Sequence, residues 1–256
     1  MVSEREAAEP VPNKRLEILY EGHELVAIQK PSGLAVHRGW APEKDVAMRR
    51  LRNQLRAWVW PVHRLDRGTS GVLLFALNKE RAGEIGRLFQ EGLIKKNYLA
   101  LVRGVPAPEG EIDYAIPRSE GGERIQAFTR YRVLDSLKGY SLVQAQTAQG
   151  RFHQIRRHFK HLRNPLIGDT NYGDGKRNRF WREHYQLHRL GLHAWTLSFE
   201  DPASGEYLRI VAPLPDDLAK PLAQIGMNLE QLKAELYSDP WAKREIPQPE
   251  NSEATA

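Results

Sequence analysis

The chain has 256 residues, 41% of them apolar, which supplies the core of one sizeable domain and excludes a disordered chain. It contains no cysteine, which excludes a disulfide scaffold, a thiolate metal site and a cysteine nucleophile together; neither a signal peptide nor a run of roughly 18 apolar residues is present, so a cytoplasmic protein without membrane contact is expected. Thirty-eight Lys and Arg against 32 Asp and Glu leave a net charge of +6, a weak pointer to an acidic partner.

Pro10 and Pro12 close an acidic stretch, and residues 1–15 are expected to form a flexible tail. Apolar runs of strand length follow at 16–20, 25–28, 72–77, 98–102, 140–145, 192–199 and 207–211, broken by Gly, Pro and Asn. Helical spacing places Ala82, Ile85, Leu88 and Phe89 on one face, ended by Gly92, and Ile155, Phe159 and Leu162 on another, stopped by Asn164-Pro165. Many strands with occasional helices predict an α+β domain over 16–237, and the acidic, proline-dotted residues 238–256 predict a second tail.

Residues 150–191 hold ten Lys and Arg against three Asp and Glu, so this segment carries +7 and the rest of the chain −1. Phe152, Phe159, Tyr172, Phe180, Trp181 and Tyr185 are interleaved with these cations, a composition that suits a phosphate backbone with bases to stack, or equally a solvated basic helix face. Familiar sites are missing: there is no G-x-G-x-x-G, no G-x-S-x-G and no H-E-x-x-H, and GDTNYGDGK departs from a P-loop because Asp174 follows Gly173. No metal site is expected from the histidines at 153, 158 and 161.

The most informative stretch is HRLDRGTSG at 63–71, followed by VLLFAL. It sets Asp66 between Arg64 and Arg67 in a turn that feeds a fully apolar strand, so one carboxylate is expected at the mouth of a buried sheet, kept anionic by its flanking guanidiniums. A purely structural Asp–Arg pair pinning the turn fits the same spacing.

HRLDRGTSG resembles the signature of the RluA family of pseudouridine synthases, and further blocks similar to that family follow in order: KPSG with Val36-His37 before it, then KNYLALVRG at 96–104, GRFHQIRRH at 150–158, PLIGD at 165–169 and LHA at 192–194. The resemblance covers residues 16–215. It implies the pseudouridine synthase fold, a large mixed and mostly antiparallel sheet flanked by helices and loops. It also implies conversion of uridine to pseudouridine in structured RNA, without cofactor, metal or obligate protein partner. Asp66 is then the nucleophile, Arg156 the arginine that orients it through a bidentate fork, and Tyr98 the tyrosine that packs on the target uracil. The same resemblance has Arg64 entering the space left by the flipped base. Arg67, Arg151, Arg157, Lys176 and Arg177 hold flanking phosphates, and Thr69, Ser70 and Gly71 shape the turn. Within the family the sequence VHRGW and the insertion from Gly168 to Ala194 are most similar to members acting on uridine 65 of tRNA; ribosomal RNA is the alternative substrate, and a non-catalytic RNA-binding module the alternative of another class.

Overall fold

The computed structural model describes residues 15–37, 45–119, 121–147 and 149–230; the expected tails at 1–14 and 238–256 lie outside the described residues. In chain order the elements are β1 (Glu17–Gly22), β2 (Leu25–Lys30), α1 (Ala47–Leu55), β3 (Trp60–Pro61), β4 (Ser70–Ala76), α2 (Lys79–Gln90), β5 (Lys95–Arg103), β6 (Glu109–Asp113), β7 (Ile116–Pro117), β8 (Arg124–Ile125), β9 (Phe128–Leu137), β10 (Tyr140–Thr147), α3 (Gln154–His161), α4 (Gly175–Tyr185), β11 (Leu192–Glu200), β12 (Tyr207–Val211) and α5 (Asp216–Ile225). One large sheet runs β1-β2-β4-β11-β5-β10-β9-β6, with β12 added on β11 and β3 on β4, while β7 and β8 form a separate hairpin. Every ladder is antiparallel except β4 against β11. The chain is thus of the α+β class with a mixed, mostly antiparallel sheet.

The continuous apolar run of β4 is buried at every position because helices cover both faces of the sheet. On one face α1 sets Ala47 and Leu51 against Val26, Ile28, Leu73 and Phe75. On the same face α3 sets Ile155 and Phe159 against Ala100, Val102, Val143 and Ala145. Tyr98 of β5 packs against both of these clusters, and strand alternation keeps it on the side of Ala100 and Val102, so α1 and α3 flank it. The opposite face carries α2, through Ile85, and α4 and α5, through Trp181, Leu218 and Leu222. Each such large apolar side chain contributes about 1.5–3 kcal/mol on burial.

Helix α2 starts where Asn78 Oδ1 accepts from the Arg81 amide at 2.8 Å, and α4 starts where the Asp174 side chain accepts from Lys176 and Arg177 amides at 3.0 and 3.2 Å. Helix α4 corrects part of the sequence analysis. Its Trp181 is fully buried against Tyr140, ring centroids 5.0 Å apart, and Phe159 of α3 is equally buried. Two of the aromatics expected among base-stacking residues are therefore core, because α3 turns Phe159 and α4 turns Trp181 onto the sheet.

The parallel junction of β4 and β11 pairs His193 with Ser70 and Ala194 with Gly71. Gly71 has φ +115°, and a Cβ there would overlap the Ala194 carbonyl. Gly71→Ala is therefore expected to destabilise the fold by at least about 2 kcal/mol, measured as a shift of the urea midpoint.

Three histidines, His158 and His193 buried and His63 partly so, are held neutral. His193 donates from Nε2 to Ala212 O (3.1 Å) and accepts at Nδ1 from Ser70 Oγ (2.7 Å), and burial pushes it down to about 4. His158 donates from Nε2 to Tyr114 O at 3.0 Å and is likewise pushed down to about 4 by burial. His63 accepts from the Leu74 amide at 2.9 Å, stacks on Phe89, and burial takes it to about 3. Below the ordinary value of 6.5 the unfolded chain takes up protons that the folded chain refuses, so stability is lost as pH falls from about 6.5 towards 4. Urea midpoints measured across that window should fall with pH, and more gently after His193→Gln.

Candidate active site

Asp66 lies in the connection from β3 to β4, where its carbonyl accepts from the Thr69 amide at 3.0 Å to close a turn. Leu65 beside it is buried with Leu51 and Phe75 and anchors the loop to the core. The loop is also gripped by residues 30–34. Ser32 Oγ donates to Gly68 O at 2.7 Å, the Gly33 amide donates to Arg67 O at 2.9 Å, and Arg67 Nε donates back to Gly33 O at 2.9 Å. The fully buried Lys30 ammonium donates to the carbonyls of Pro31 (3.0 Å), Leu34 (2.7 Å) and Arg67 (3.1 Å); burial, then the charge of Arg189, pushes it down to about 7. These residues support the Asp66 loop from behind. Ser70 does the same from the strand side, accepting from Arg189 Nη2 at 2.7 Å while donating to His193.

The guanidinium that meets Asp66 comes from 90 residues away. Arg156 Nη1 donates to Asp66 Oδ2 at 3.1 Å. Its bidentate fork, expected on Asp66, is instead formed with Asp169: Nε donates to Oδ2 at 2.7 Å and Nη2 to Oδ1 at 2.8 Å. Asp169 is buried, and its Oδ1 also accepts from the amides of Asn171 (2.9 Å) and Tyr172 (3.0 Å). Burial alone would raise the Asp169 carboxyl, but these hydrogen bonds and the Arg156 charge outweigh it and hold the group below the usual carboxylate range. Arg156 is correspondingly raised, burial being outweighed by Asp169 and then Asp66. Asp66 keeps 21% side-chain exposure, and its Oδ1 accepts no hydrogen bond among the described residues. The carboxylate is thus oriented on one oxygen and open on the other.

A cleft of about 510 Å³ opens over Asp66. Tyr98, Leu65, Ile155, Leu192 and Phe152 supply its apolar walls, and Arg64, Arg118 and Arg151 its cations, all three exposed. Burial first, then the Asp66 charge, raises the Tyr98 hydroxyl above its ordinary value of 10, so it carries its proton at neutral pH. His153, with φ +54° at the start of α3, sets Nε2 3.8 Å from Asp66 Oδ2 and hydrogen-bonds Tyr172 Oη through Nδ1 at 3.0 Å. The short β7–β8 hairpin contributes Arg118, Ser119 and Ile125 to the rim. A second cavity of about 620 Å³ shares Asp66, His153 and Arg156 and adds Arg67, His188 and Arg189.

Of the cations singled out in the sequence, Arg64 and Arg151 line the Asp66 cleft and Arg67 the second cavity. Arg157 does not present an open guanidinium: Nε donates to Tyr172 Oη at 2.8 Å and Nη1 to Pro117 O at 3.1 Å, so it ties α3 to the β7–β8 hairpin. Lys176 and Arg177 are exposed on the first turn of α4 and line neither cavity. Asp169 had no role in the sequence analysis; the PLIGD block that contains it was its one signal. Among the described residues no three His, Asp or Glu side chains group as metal ligands would, and no helix is long and apolar enough to cross a membrane.

Because Asp169 holds two of the three Arg156 nitrogens, Asp169→Asn should free the guanidinium to re-orient on Asp66 and engage the oxygen that is otherwise open. We expect turnover to fall roughly a hundredfold with RNA affinity retained, and Arg156→Lys, which cannot reproduce the fork, to fall at least as far. Single-turnover rates and filter-binding constants check both.

Comparison with known proteins gives one consistent answer. Residues 24–161 match the family described as RNA pseudouridylate synthase. The chain is 41% identical over 235 residues to the tRNA pseudouridine synthase C of Haemophilus ducreyi, covering 83% of this chain and 97% of that protein. It is 40% identical over 224 residues to the protein of the same name from Vibrio parahaemolyticus, covering 78% and 91%. Among solved structures, human RNA Pseudouridylate Synthase Domain Containing 1 superposes with a TM-score of 0.70 at 27% identity, covering 94% of this chain and 99% of that one. Human RNA Pseudouridylate Synthase Domain Containing 4 gives 0.68 at 28% identity, covering 82% and 92%. A match to more than half of the chain, relatives at this identity over most of its length, and a shared fold make the chain a member of the RNA pseudouridylate synthase family.

Proposed function

We propose that this pseudouridine synthase acts on tRNA, at uridine 65, in the cytoplasm, with residues 16–237 as its catalytic unit and Asp66 as nucleophile. The observation that carries the reading is the Asp66 carboxylate itself: oriented by Arg156 through Oδ2, open at Oδ1, at the floor of a cleft lined by three exposed arginines. The tRNA assignment is supported by the relatives that carry tRNA in their names.

The reaction breaks the uracil N1–C1′ bond, turns the base and joins C5 to C1′; the C5 hydrogen leaves as a proton and N1 gains one, so there is no net redox change and no water is consumed. Asp66 Oδ1 supplies the electron pair that assists departure of the uracil, by attack on the sugar or on the ring. The walls formed by Leu65, Tyr98, Ile155 and Leu192 exclude water from the detached base, and Tyr98, still protonated, holds or delivers a proton beside it. A uridine within a stem reaches this cleft only when flipped out, at a cost of a few kcal/mol in unstacking and unpairing. Arg64, on the wall, is placed to occupy the space the base leaves, while Arg67 and Arg151 on the two cavities meet the neighbouring phosphates.

The test uses the full chain and tRNA labelled with tritium at uridine C5. Wild type is expected to release tritium and to leave pseudouridine at position 65, and Asp66→Asn to bind the same tRNA without release. Release by Asp66→Asn at the wild-type rate would remove Asp66 from the mechanism; pseudouridine in ribosomal RNA with position 65 unmodified would reassign the substrate.

A further inference from the structure

Outside residues 150–191 the charge averages to −1, and that average conceals a second basic region. Residues 46–64 contain five arginines and no Asp or Glu. Arg50 is paired with Asp45, and Arg64 belongs to the cleft already described. Arg52 and Arg56 belong to neither. They stand at the C-terminal end of α1, where Arg56 ends the helix in the left-handed region (φ +54°) with its side chain exposed. Beside them Trp58 is 67% exposed. Arg52 Cζ lies 5.1 Å from the centre of its ring, and Arg52, Asn53, Arg56, Ala57 and Trp58 line a shallow depression of about 430 Å³.

The exposure of Trp58 is built into the backbone. Val59, the next residue, is buried in the core with Leu51, and Trp60 is paired with Ala76 of β4, so the chain is held on one side of Trp58 and its ring is turned outward. Cations at a helix C-terminus are stabilised by the helix dipole, which accounts for Arg52 and Arg56 but not for a bare indole on a rigid frame. A fixed aromatic face with two guanidiniums and an amide around it has the composition of a nucleotide platform: the ring stacks a base and the cations meet its phosphates. The location fits. Helix α1 covers the same sheet face as α3, on the other side of Tyr98, and Trp58 precedes Asp66 by eight residues, at most about 29 Å of chain.

We propose that Trp58, Arg52 and Arg56 form a second RNA contact, which stacks an unpaired nucleotide of the substrate other than the one isomerised. The inference rests on the assignment of tRNA as substrate. The partner is the RNA because the patch is cationic and without acidic residues, and because a polyanion already docked at Asp66 lies within reach of it.

Steady-state kinetics on full-length tRNA transcript test this. Loss of one stacked base predicts that Trp58→Ala raises KM roughly five- to a hundredfold while turnover at saturating tRNA holds, that Arg56→Glu also raises KM, and that Trp58→Phe, which keeps a ring, stays close to wild type. Photo-crosslinking with tRNA carrying 4-thiouridine is expected to label a peptide spanning 52–58. An unchanged KM for Trp58→Ala, or crosslinks confined to the Asp66 cleft, would overturn the proposal. So would sedimentation showing a dimer that Trp58→Ala dissociates, since the patch would then be an interface between copies. Failure of wild-type enzyme to convert tRNA at all would instead sink the substrate assignment beneath it.

Discussion

Three nitrogens of one guanidinium are divided between two carboxylates, Nε and Nη2 to Asp169 and Nη1 to Asp66, and the chemistry at the cleft follows from that division. Burying an arginine is costly unless its charge is met with good geometry, and Asp169 meets it with a planar fork backed by two amides. Asp66 is then not needed to neutralise Arg156. It receives one directed hydrogen bond on Oδ2, and Oδ1 accepts none among the described residues. Had Asp66 taken the fork, both of its oxygens would have been engaged. A second acid behind the arginine lets the first be oriented while one of its oxygens stays open.

The sheet brings these groups together at its single parallel junction. Strands β4 and β11 start side by side there, and the turn before β4 and the loop before β11 converge on one spot. The Asp66 turn is fastened to residues 30–34 by the Lys30 ammonium and by Ser32 and Gly33, and to the β11 side by Ser70, His193 and Arg189. Asp169 is delivered by residues 165–168, which dock on β5 through Ile167 and Leu101 and through the Val102–Leu166 bridge. Gly168 (φ +76°) makes the bend, with a Cβ there excluded by the Arg189 carbonyl. Little of this scaffold touches the cleft directly. Its work is to fix the position of the Asp66 carboxylate at the cleft.

Tyr98 divides the working face. On one side α3, the loop before it and the β7–β8 hairpin carry the Arg156 centre, Arg151 and Arg118; on the other, the end of α1 and the residues after it carry Arg52, Arg56 and Trp58. Arg157 and Tyr172 sit beneath the first side, holding His153 and the hairpin in place. Cations numerous in a sequence therefore serve two ends here, some exposed on the cleft and others consumed in internal hydrogen bonds.

Patterns confined to a few consecutive residues were legible in the amino-acid order. The fully apolar run after Gly71 announced a strand covered on both faces, the spacing of Ala82, Ile85 and Leu88 announced α2, and HRLDRGTSG with its companion blocks announced the family. Helix α4 escaped because one large buried residue, Trp181, carries its inward face among cations, and α5 because Pro221 lies inside it. Arg156 meets Asp66 as the resemblance implied, but the flanking arginines do not, for a geometric reason. Side chains adjacent in sequence diverge, so Arg67 turns to Gly33, while the arginine that reaches Asp66 arrives from a helix 90 residues later. Asp169 has the PLIGD block as its one local signal, and nothing in that block names its partner; the docking of residues 165–168 on β5 brings it behind Arg156. Order along the chain determines which short segments become strand, helix or turn, because those choices depend on near neighbours. Which carboxylate shares which guanidinium is decided when distant segments pack, because hydrogen bonds of about 3 Å depend on positions that no sequence interval specifies.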